Sequence, residues 1–219
     1  MKILQNINSY SNKNVLKEAD KVARAVRNSF DYICMSKTVP EASTDILSNL
    51  RIRNFILKKE RILKAYRQDR MFIKNSVNLF KEILYCAARE KLASCYEQSA
   101  IAELILRING VPNCTKASLV SSTGKRLNHC VTCIIPKDSK KLKDIVVIDP
   151  WLQKTGYYNE MLSLYKNDYS RYFRKISSDE SIILELHPQA KLSFSDLKTL
   201  VDRYPQLTKF KIKKEPFMK

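Results

Sequence analysis

The stretch that decides the fold reads SCYEQSAIAELILRINGVP at residues 94–112, and it is followed by HCVTCII at 129–135 and DIVVIDPW at 144–151. In the first segment apolar residues recur at helical spacing, and the segment ends at Asn109-Gly110 with Pro112 beyond, which is typical of a helix C-terminus. The other two segments are rich in Val, Ile and Thr and are bounded by proline or glycine. We therefore predict a helix followed by β-strands.

The surrounding sequence extends this pattern. Residues 115–121 form another β-rich run, so we expect three antiparallel strands at 115–121, 129–135 and 144–148. Residues 157–175 are rich in Tyr and Lys and are predicted to be helical in part. A further strand is predicted at Ile182–Leu186, and a short helix opened by Ser193 at 194–204. The predicted fold class is α+β.

The first half of the chain is predicted to be helical. No glycine occurs before Gly110, and Pro40 is the one proline among the first 109 residues, so strong turn signals are almost absent. Apolar stripes at helical spacing predict three helices, within 15–30, 52–66 and 73–87. We divide the chain into a helical N-terminal lobe at 1–92 and an α+β core at 93–219, and we expect the two to form one compact unit.

Composition and hydropathy exclude several classes of protein. The 219 residues are 44% hydrophobic and 28% charged, which is typical of a globular domain and not of a disordered chain. No apolar run reaches the roughly 18 to 20 residues that a membrane span needs. Residues 1–10 lack the apolar core of a signal peptide. We therefore expect neither a membrane span nor an ordinary exported precursor.

The chain is strongly basic. Lys and Arg number 40 and Asp and Glu number 22, which gives a net charge of 40 − 22 = +18. An anionic partner that binds the basic surface is one explanation, and a basic surface that is simply solvated is the other. Nucleic acid is an unfavoured partner, because the sequence shows no basic recognition helix, zinc finger or aromatic single-strand platform.

The six cysteines predict free thiols in a reducing compartment, because they are sparse and irregularly spaced. Cys130 and Cys133 form a C-x-x-C pair, but residues three apart on a strand point to opposite faces and cannot share a metal ion. Cys86 and Cys114 are best explained as packing residues. We predict no metal and no cofactor.

Cys95 is the candidate nucleophile. Ser94 and Glu97 have the spacing of a capping box, which places Cys95 at the first helical position. The positive end of the helix favours a thiolate there, but its contribution of roughly 0.3 to 1 kcal/mol is too small to ionise a thiol at neutral pH. A neighbouring imidazolium has a much larger effect. Taken alone, a buried cysteine is more often a small core residue than a nucleophile.

The other two candidate catalytic residues are His129 and Asp149. His129 begins one predicted strand and Asp149 ends the next, and a hairpin can place these two positions side by side. Asp149 would then fix the imidazole tautomer, His129 would move the proton, and Cys95 would attack a carbonyl carbon. Asp149 has an alternative role as the residue that opens a turn before Pro150.

Three further residues complete the set of candidates. The amide of Cys95 is the natural first oxyanion donor, and Gln98 is a candidate second donor if its side chain turns back toward the site, or else a structural helix residue. Trp151 is either a core residue or a wall of the cleft. His187, before Pro188, is interpreted as a surface or turn residue.

The order of these motifs resembles that of a known superfamily. Cys-x-Glu-Gln-Ser, then Gly-Val-Pro, then a histidine, then Asp-Pro-Trp, over residues 95–151, is similar to the transglutaminase-like core of papain-like cysteine enzymes. The resemblance implies a cysteine-bearing helix packed on an antiparallel sheet that carries the histidine and the aspartate. It assigns the triad roles to Cys95, His129 and Asp149. The superfamily includes transglutaminases, peptidases, amidases and, among bacterial toxins and secreted effectors, glutamine deamidases.

From the residues and the resemblance we expect a Cys-His-Asp thiol enzyme that acts on a carboxamide or peptide bond of a protein substrate through a thioester. Water would resolve the thioester in hydrolysis or deamidation, and an amine in transamidation. As a virulence effector secreted into a host cytosol, the chain would act on a host protein. The alternative is an inactive transglutaminase-like module whose basic surface binds an acidic protein, nucleic acid or lipid headgroups.

Overall fold

A computed structural model describes residues 2–30, 33–34, 54, 57, 61, 76–89, 91–136, 141–167, 177 and 179–214. Within these residues the elements are α1 (Lys2–Ser29), β1 (Ile33–Cys34), α2 (Ser76–Arg89), β2 (Leu92–Ala93), α3 (Cys95–Ile108), β3 (Cys114–Ser121), β4 (Arg126–Ile134), β5 (Val146–Asp149), β6 (Lys154–Tyr157), α4 (Tyr158–Asn167), β7 (Ile182–Leu186) and α5 (Phe194–Arg203). The predicted α+β class is confirmed.

Strands β3 to β7 form one antiparallel sheet in the order β6-β5-β4-β3-β7. The pairings β3 with β4 and β4 with β5 confirm the three predicted antiparallel strands. Strand β7 pairs with the outer edge of β3, and β6 pairs with β5. The two-residue strands β1 and β2 pair in parallel apart from this sheet.

The sheet has a hydrophobic cluster on each face. One cluster joins α1, α2 and α3 to β3, β4 and β5, and the other lies between the sheet and α4. In α3 the side chains of Ile101, Leu104 and Ile105 are fully buried, and each contributes about 1.5 to 3 kcal/mol relative to an exposed side chain. Helix α3 is thus anchored against the sheet along most of its length.

The predicted helices are largely found. The 15–30 stripe lies in α1, which begins at Lys2 because no proline or glycine interrupts the chain there. The 73–87 stripe is represented by α2, and the predictions near 157–175 and 194–204 correspond to α4 and α5. The helix predicted at 52–66 falls almost entirely outside the described residues. Among the described helices, none is long and apolar enough to cross a membrane.

Two strand starts differ from prediction by more than one residue, and the strands β1, β2 and β6 were not predicted. Strand β4 begins at Arg126, before the apolar run starts, because β3 pairs with it around the turn at Gly124. A 3₁₀ turn occupies Leu142–Asp144, so β5 begins at Val146 and not at Asp144. The short strand β6 was not predicted, because its four residues include Gly156 and carry no alternating pattern; pairing with β5 creates it.

Candidate active site

The N-terminus of α3 presents Cys95. The predicted capping box is confirmed: the Glu97 carboxylate accepts a 2.8 Å hydrogen bond from the Ser94 amide and also contacts the Ser94 hydroxyl. Cys95 is therefore the first residue of the helix, where amide N–H groups lack intrahelical acceptors. Its thiol is half-buried and lies 3.8 Å from the carbonyl oxygen of Asn128, to which the S–H can donate.

An irregularity in strand β4 positions the histidine. Ser118 pairs with Cys130 and Val120 pairs with Arg126, so residues 127–129 lie opposite Leu119 alone. Asn128 has a left-handed backbone with φ of 57°, which asparagine tolerates better than most residues. Bulges of this kind re-aim side chains. Here the bulge directs the Asn128 carbonyl toward the Cys95 thiol. It also places His129 next to Cys95.

His129 and Asp149 form a buried ion pair. Nε2 of His129 lies 2.6 Å from Oδ2 of Asp149, and His129 and Asp149 are 5% and 0% exposed. The carboxylate is fixed by two other donors: the Leu152 amide reaches Oδ1 at 3.0 Å, and the Tyr165 hydroxyl reaches Oδ2 at 2.9 Å. Because all three donors converge on one buried carboxylate, the charge of Asp149 is well compensated.

The electrostatics of His129 favour the imidazolium. Burial alone lowers its pKa, but the charge and hydrogen bond of Asp149, together with a hydrogen bond and charge interaction with Cys95, raise the pKa to about 10. Since Nε2 faces Asp149, the remaining ring nitrogen Nδ1 is the one available to the sulfur. The structure therefore brings Cys95, His129 and Asp149 into one contact chain.

Aromatic rings enclose the imidazole. Trp151 contacts His129 edge-on, with ring centroids 5.2 Å apart, and Tyr165 does so at 5.9 Å. Trp151 is half-buried, while Tyr165 is fully buried. These rings limit the access of water to the ion pair, which strengthens the attraction between its charges. Trp151 thus lies against the candidate site, as a cleft wall would.

The buried Gln98 is oriented toward the start of the helix. Its Nε2 donates to the Ala93 carbonyl oxygen at 3.2 Å, one residue before the capping serine. This contact connects α3 to β2 and provides an acceptor for the buried Nε2 of Gln98. The structure therefore gives Gln98 a structural contact, and an oxyanion role for it stays a prediction.

Cys114, Cys130 and Cys133 are buried, whereas Cys95 is half-buried. Burial raises the pKa of Cys114 and of Cys130 to about 12, and that of Cys133 further still. Cys130 contacts Ser99 of α3, whereas Cys133 packs in the cluster beneath α4, so the C-x-x-C pair points to opposite faces as predicted. In the described part of the chain no group of three or more His, Cys, Asp or Glu could hold a metal ion.

Sequence reasoning missed two contributors to this site. Asn128 carried a weak signal, since asparagine before a strand can adopt a left-handed backbone. Tyr165 carried none: it is one of several tyrosines in a Tyr- and Lys-rich stretch, and its relation to Asp149 depends on how α4 packs on the sheet.

Comparisons of the chain with protein-family models, with curated proteins and with solved structures found no match. The chemistry of the site itself is therefore the basis on which we infer a function.

Proposed function

We propose that the protein is a Cys-His-Asp thiol enzyme that acts on a carboxamide or peptide bond of a protein substrate through a thioester. The observation that carries this proposal is the buried His129–Asp149 pair in contact with a half-exposed thiol at a helix N-terminus. Nucleophile, base and orienting acid in this order are the usual arrangement for acyl transfer.

The proposed reaction has two steps. In the first, the thiolate of Cys95, whose proton is held on Nδ1 of the His129 imidazolium, attacks the carbonyl carbon, while the Cys95 amide donates to the developing oxyanion. His129 then gives the proton to the departing amine or ammonia, which leaves an acyl thioester on Cys95. In the second step, water or an amine attacks the thioester and loses a proton to His129. The carbon–sulfur bond then breaks, which releases the acid or the new amide and restores the Cys95 thiol.

The order of the elements supports the proposed resemblance to papain-like, transglutaminase-like enzymes. Helix α3 bears the cysteine and packs on an antiparallel sheet, β4 bears the histidine, and β5 ends with the aspartate. The helical N-terminal residues share a hydrophobic cluster with α3. We infer that they and the net charge of +18 help to bind a protein substrate with an acidic surface, which would be a host protein if the chain is a secreted effector.

Selective alkylation tests the proposal without a known substrate. Iodoacetamide at pH 6, followed by peptide mass spectrometry, should label Cys95 far faster than any other cysteine, because thiolate is the reactive form. His129→Ala should abolish that selectivity, while Tyr158→Phe, on the neighbouring helix, should preserve it. Slow and uniform labelling of all cysteines in the folded protein would overturn the enzyme proposal and favour the inactive binding module.

A second assay distinguishes hydrolysis from amine transfer. Casein, as a generic glutamine-bearing protein, would be incubated with the protein and a fluorescent primary amine. Incorporation of the amine that depends on Cys95 would indicate transamidation, whereas ammonia release without incorporation would indicate deamidation and new peptide termini would indicate proteolysis. A Cys95→Ala variant is the matched control for all three readouts.

A further inference from the structure

The Asp149 carboxylate has an uneven set of hydrogen bonds. Oδ1 accepts from the Leu152 amide at 3.0 Å, whereas Oδ2 accepts both from His129 at 2.6 Å and from the Tyr165 hydroxyl at 2.9 Å. The same oxygen therefore serves the imidazole and the phenol. Tyr165 comes from α4, on the face of the sheet opposite to the cysteine-bearing helix α3.

We propose that Tyr165 is a positioning residue of this site, whose hydroxyl sets the orientation of the Asp149 carboxylate and the strength of its hold on His129. This inference rests on the proposed function, because it assigns the residue a part in the same proton-transfer chain. The Tyr165 hydroxyl acts through Asp149, and the Tyr165 ring also packs edge-on against His129.

Two physical reasons support the role. A carboxylate that is held at both oxygens cannot rotate, so the Leu152 amide and the Tyr165 hydroxyl together keep Oδ2 aimed at Nε2 of His129. An oxygen that accepts two hydrogen bonds also shares its negative charge between them. The phenol thus weakens the attraction of Asp149 for the imidazolium, which leaves His129 a better proton donor to a departing amine.

Tyr165 is suited to remain a donor. Burial raises its pKa well above the usual range, and the charge of Asp149 raises it further. Its hydroxyl therefore keeps its proton throughout the neutral range. Among the described residues, the titratable groups that face His129 include Asp149 on β5, Cys95 on α3 and Tyr165 on α4.

The test uses the proton on Nε2 of His129, observed by proton NMR of the folded full chain. The sequence has two histidines, so a His187→Gln variant assigns the signals. In Tyr165→Phe the ring stays in place but the hydroxyl is gone, and Oδ2 then accepts from His129 alone. We expect the NMR signal of the Nε2 proton of His129 to move downfield. We also expect the pH at which this signal disappears to be higher than in the wild type. Tyr158→Phe, in the same buried cluster, should leave both unchanged.

A second measurement covers the case in which Tyr165→Phe fails to fold. Uniform replacement of tyrosine by 3-fluorotyrosine keeps every hydroxyl but makes each a stronger donor, so the His129 proton should move upfield. A His129 signal that stays fixed in the folded phenylalanine variant, or in the fluorinated protein, would overturn the proposal and leave Tyr165 a packing residue.

The wild-type protein used for NMR is also treated with iodoacetamide at pH 6, and the labelling of Cys95 is measured. If the NMR shift occurs but Cys95 is not selectively labelled, the enzyme proposal fails while the coupling of Tyr165 to His129 stands. If Cys95 is selectively labelled and the NMR signal does not respond, the enzyme stands and the role of Tyr165 fails.

Discussion

The two histidines of the chain occupy opposite electrostatic environments within one sheet. His129 is buried at the bulge of β4 and faces a carboxylate, so its pKa is raised despite burial. His187 follows β7, is half-buried, and bonds through Nε2 to the Ser118 hydroxyl at 2.7 Å. Burial lowers the pKa of His187, and the charge of Lys116 lowers it further.

This difference shows that burial alone does not decide the charge of a histidine. Burial disfavours the imidazolium in both cases, and the sign of the neighbouring charge determines the outcome. Asp149 reverses the effect of burial at His129, while Lys116 reinforces it at His187. An imidazolium that can stabilise a thiolate is therefore expected at one of the two positions, the one beside Cys95.

Removing the carboxylate should abolish this contrast and give the largest effect. In Asp149→Asn burial is opposed by the interactions with Cys95 alone, so the pKa of His129 should fall well below that of the wild type. We expect alkylation of Cys95 at pH 6 to slow by about 100-fold, because a nearby cation is the main source of thiolate. The measurement is the rate of iodoacetamide labelling followed by mass spectrometry.

The matched control is Asp144→Asn, which removes one negative charge just before β5 without touching the histidine pair. It should alkylate at close to the wild-type rate. Equal rates for the wild type and Asp149→Asn would mean that the ion pair does not activate the thiol.

The pH dependence of stability should differ between the wild type and Asp149→Asn. Because the folded-state pKa of His129 is raised from 6.5 to about 10, its contribution is fully present below about pH 6.5 and is lost as the pH rises toward 10. The contribution at low pH is on the order of a few kcal/mol. Denaturant unfolding from pH 6 to pH 9 should therefore show the difference in unfolding free energy shrinking as pH rises. A constant or growing difference would contradict the assigned direction.

The capping box should have a smaller effect on the same site. Glu97→Ala removes the acceptor of the Ser94 amide and should lower the free energy of unfolding by about 1 kcal/mol. The start of α3 should fray, so the rate of Cys95 labelling should fall relative to the labelling rates of the other cysteines. Glu97→Gln keeps a side-chain oxygen and should lose less than half as much in a denaturant titration. An equal loss in the two variants would show that the carboxylate charge, and not the cap, is responsible.

Much of this fold could be predicted because its signals are local. The Ser94–Glu97 spacing and the Gly110–Pro112 end delimit one helix, and β-branched runs delimit the three central strands. The sequence also predicted that His129 and Asp149 lie side by side, because a hairpin places the start of one strand beside the end of the next. The structure has this contact.

What could not be predicted depends on contacts between distant segments. The bulge at Asn128 arises from how three residues of β4 fit opposite Leu119, and the weak local signal of the asparagine does not specify that mismatch. The Tyr165 hydroxyl reaches Asp149 because α4 packs across the sheet, and a helical stripe specifies a buried face but not which polar group meets it. The Gln98 contact with Ala93 likewise depends on the chain path before α3.

The smallest effect is expected at the second histidine. His187→Gln removes a ring whose partner is the Ser118 hydroxyl, and glutamine retains a polar side chain there. Because the pKa of His187 is lowered, the folded state resists its protonation, and the wild type should lose stability as the pH falls below about 6.5. His187→Gln should flatten this loss, which is expected to be below about 1 kcal/mol at pH 5.5 because the ring is half-buried. Labelling of Cys95 should stay within about twofold of the wild type, since His187 follows β7 and bonds to the Ser118 hydroxyl, whereas the interactions of Cys95 with a histidine are those of His129. A large fall in Cys95 labelling would instead place His187 in the proton-transfer chain and remove the contrast between the two histidines.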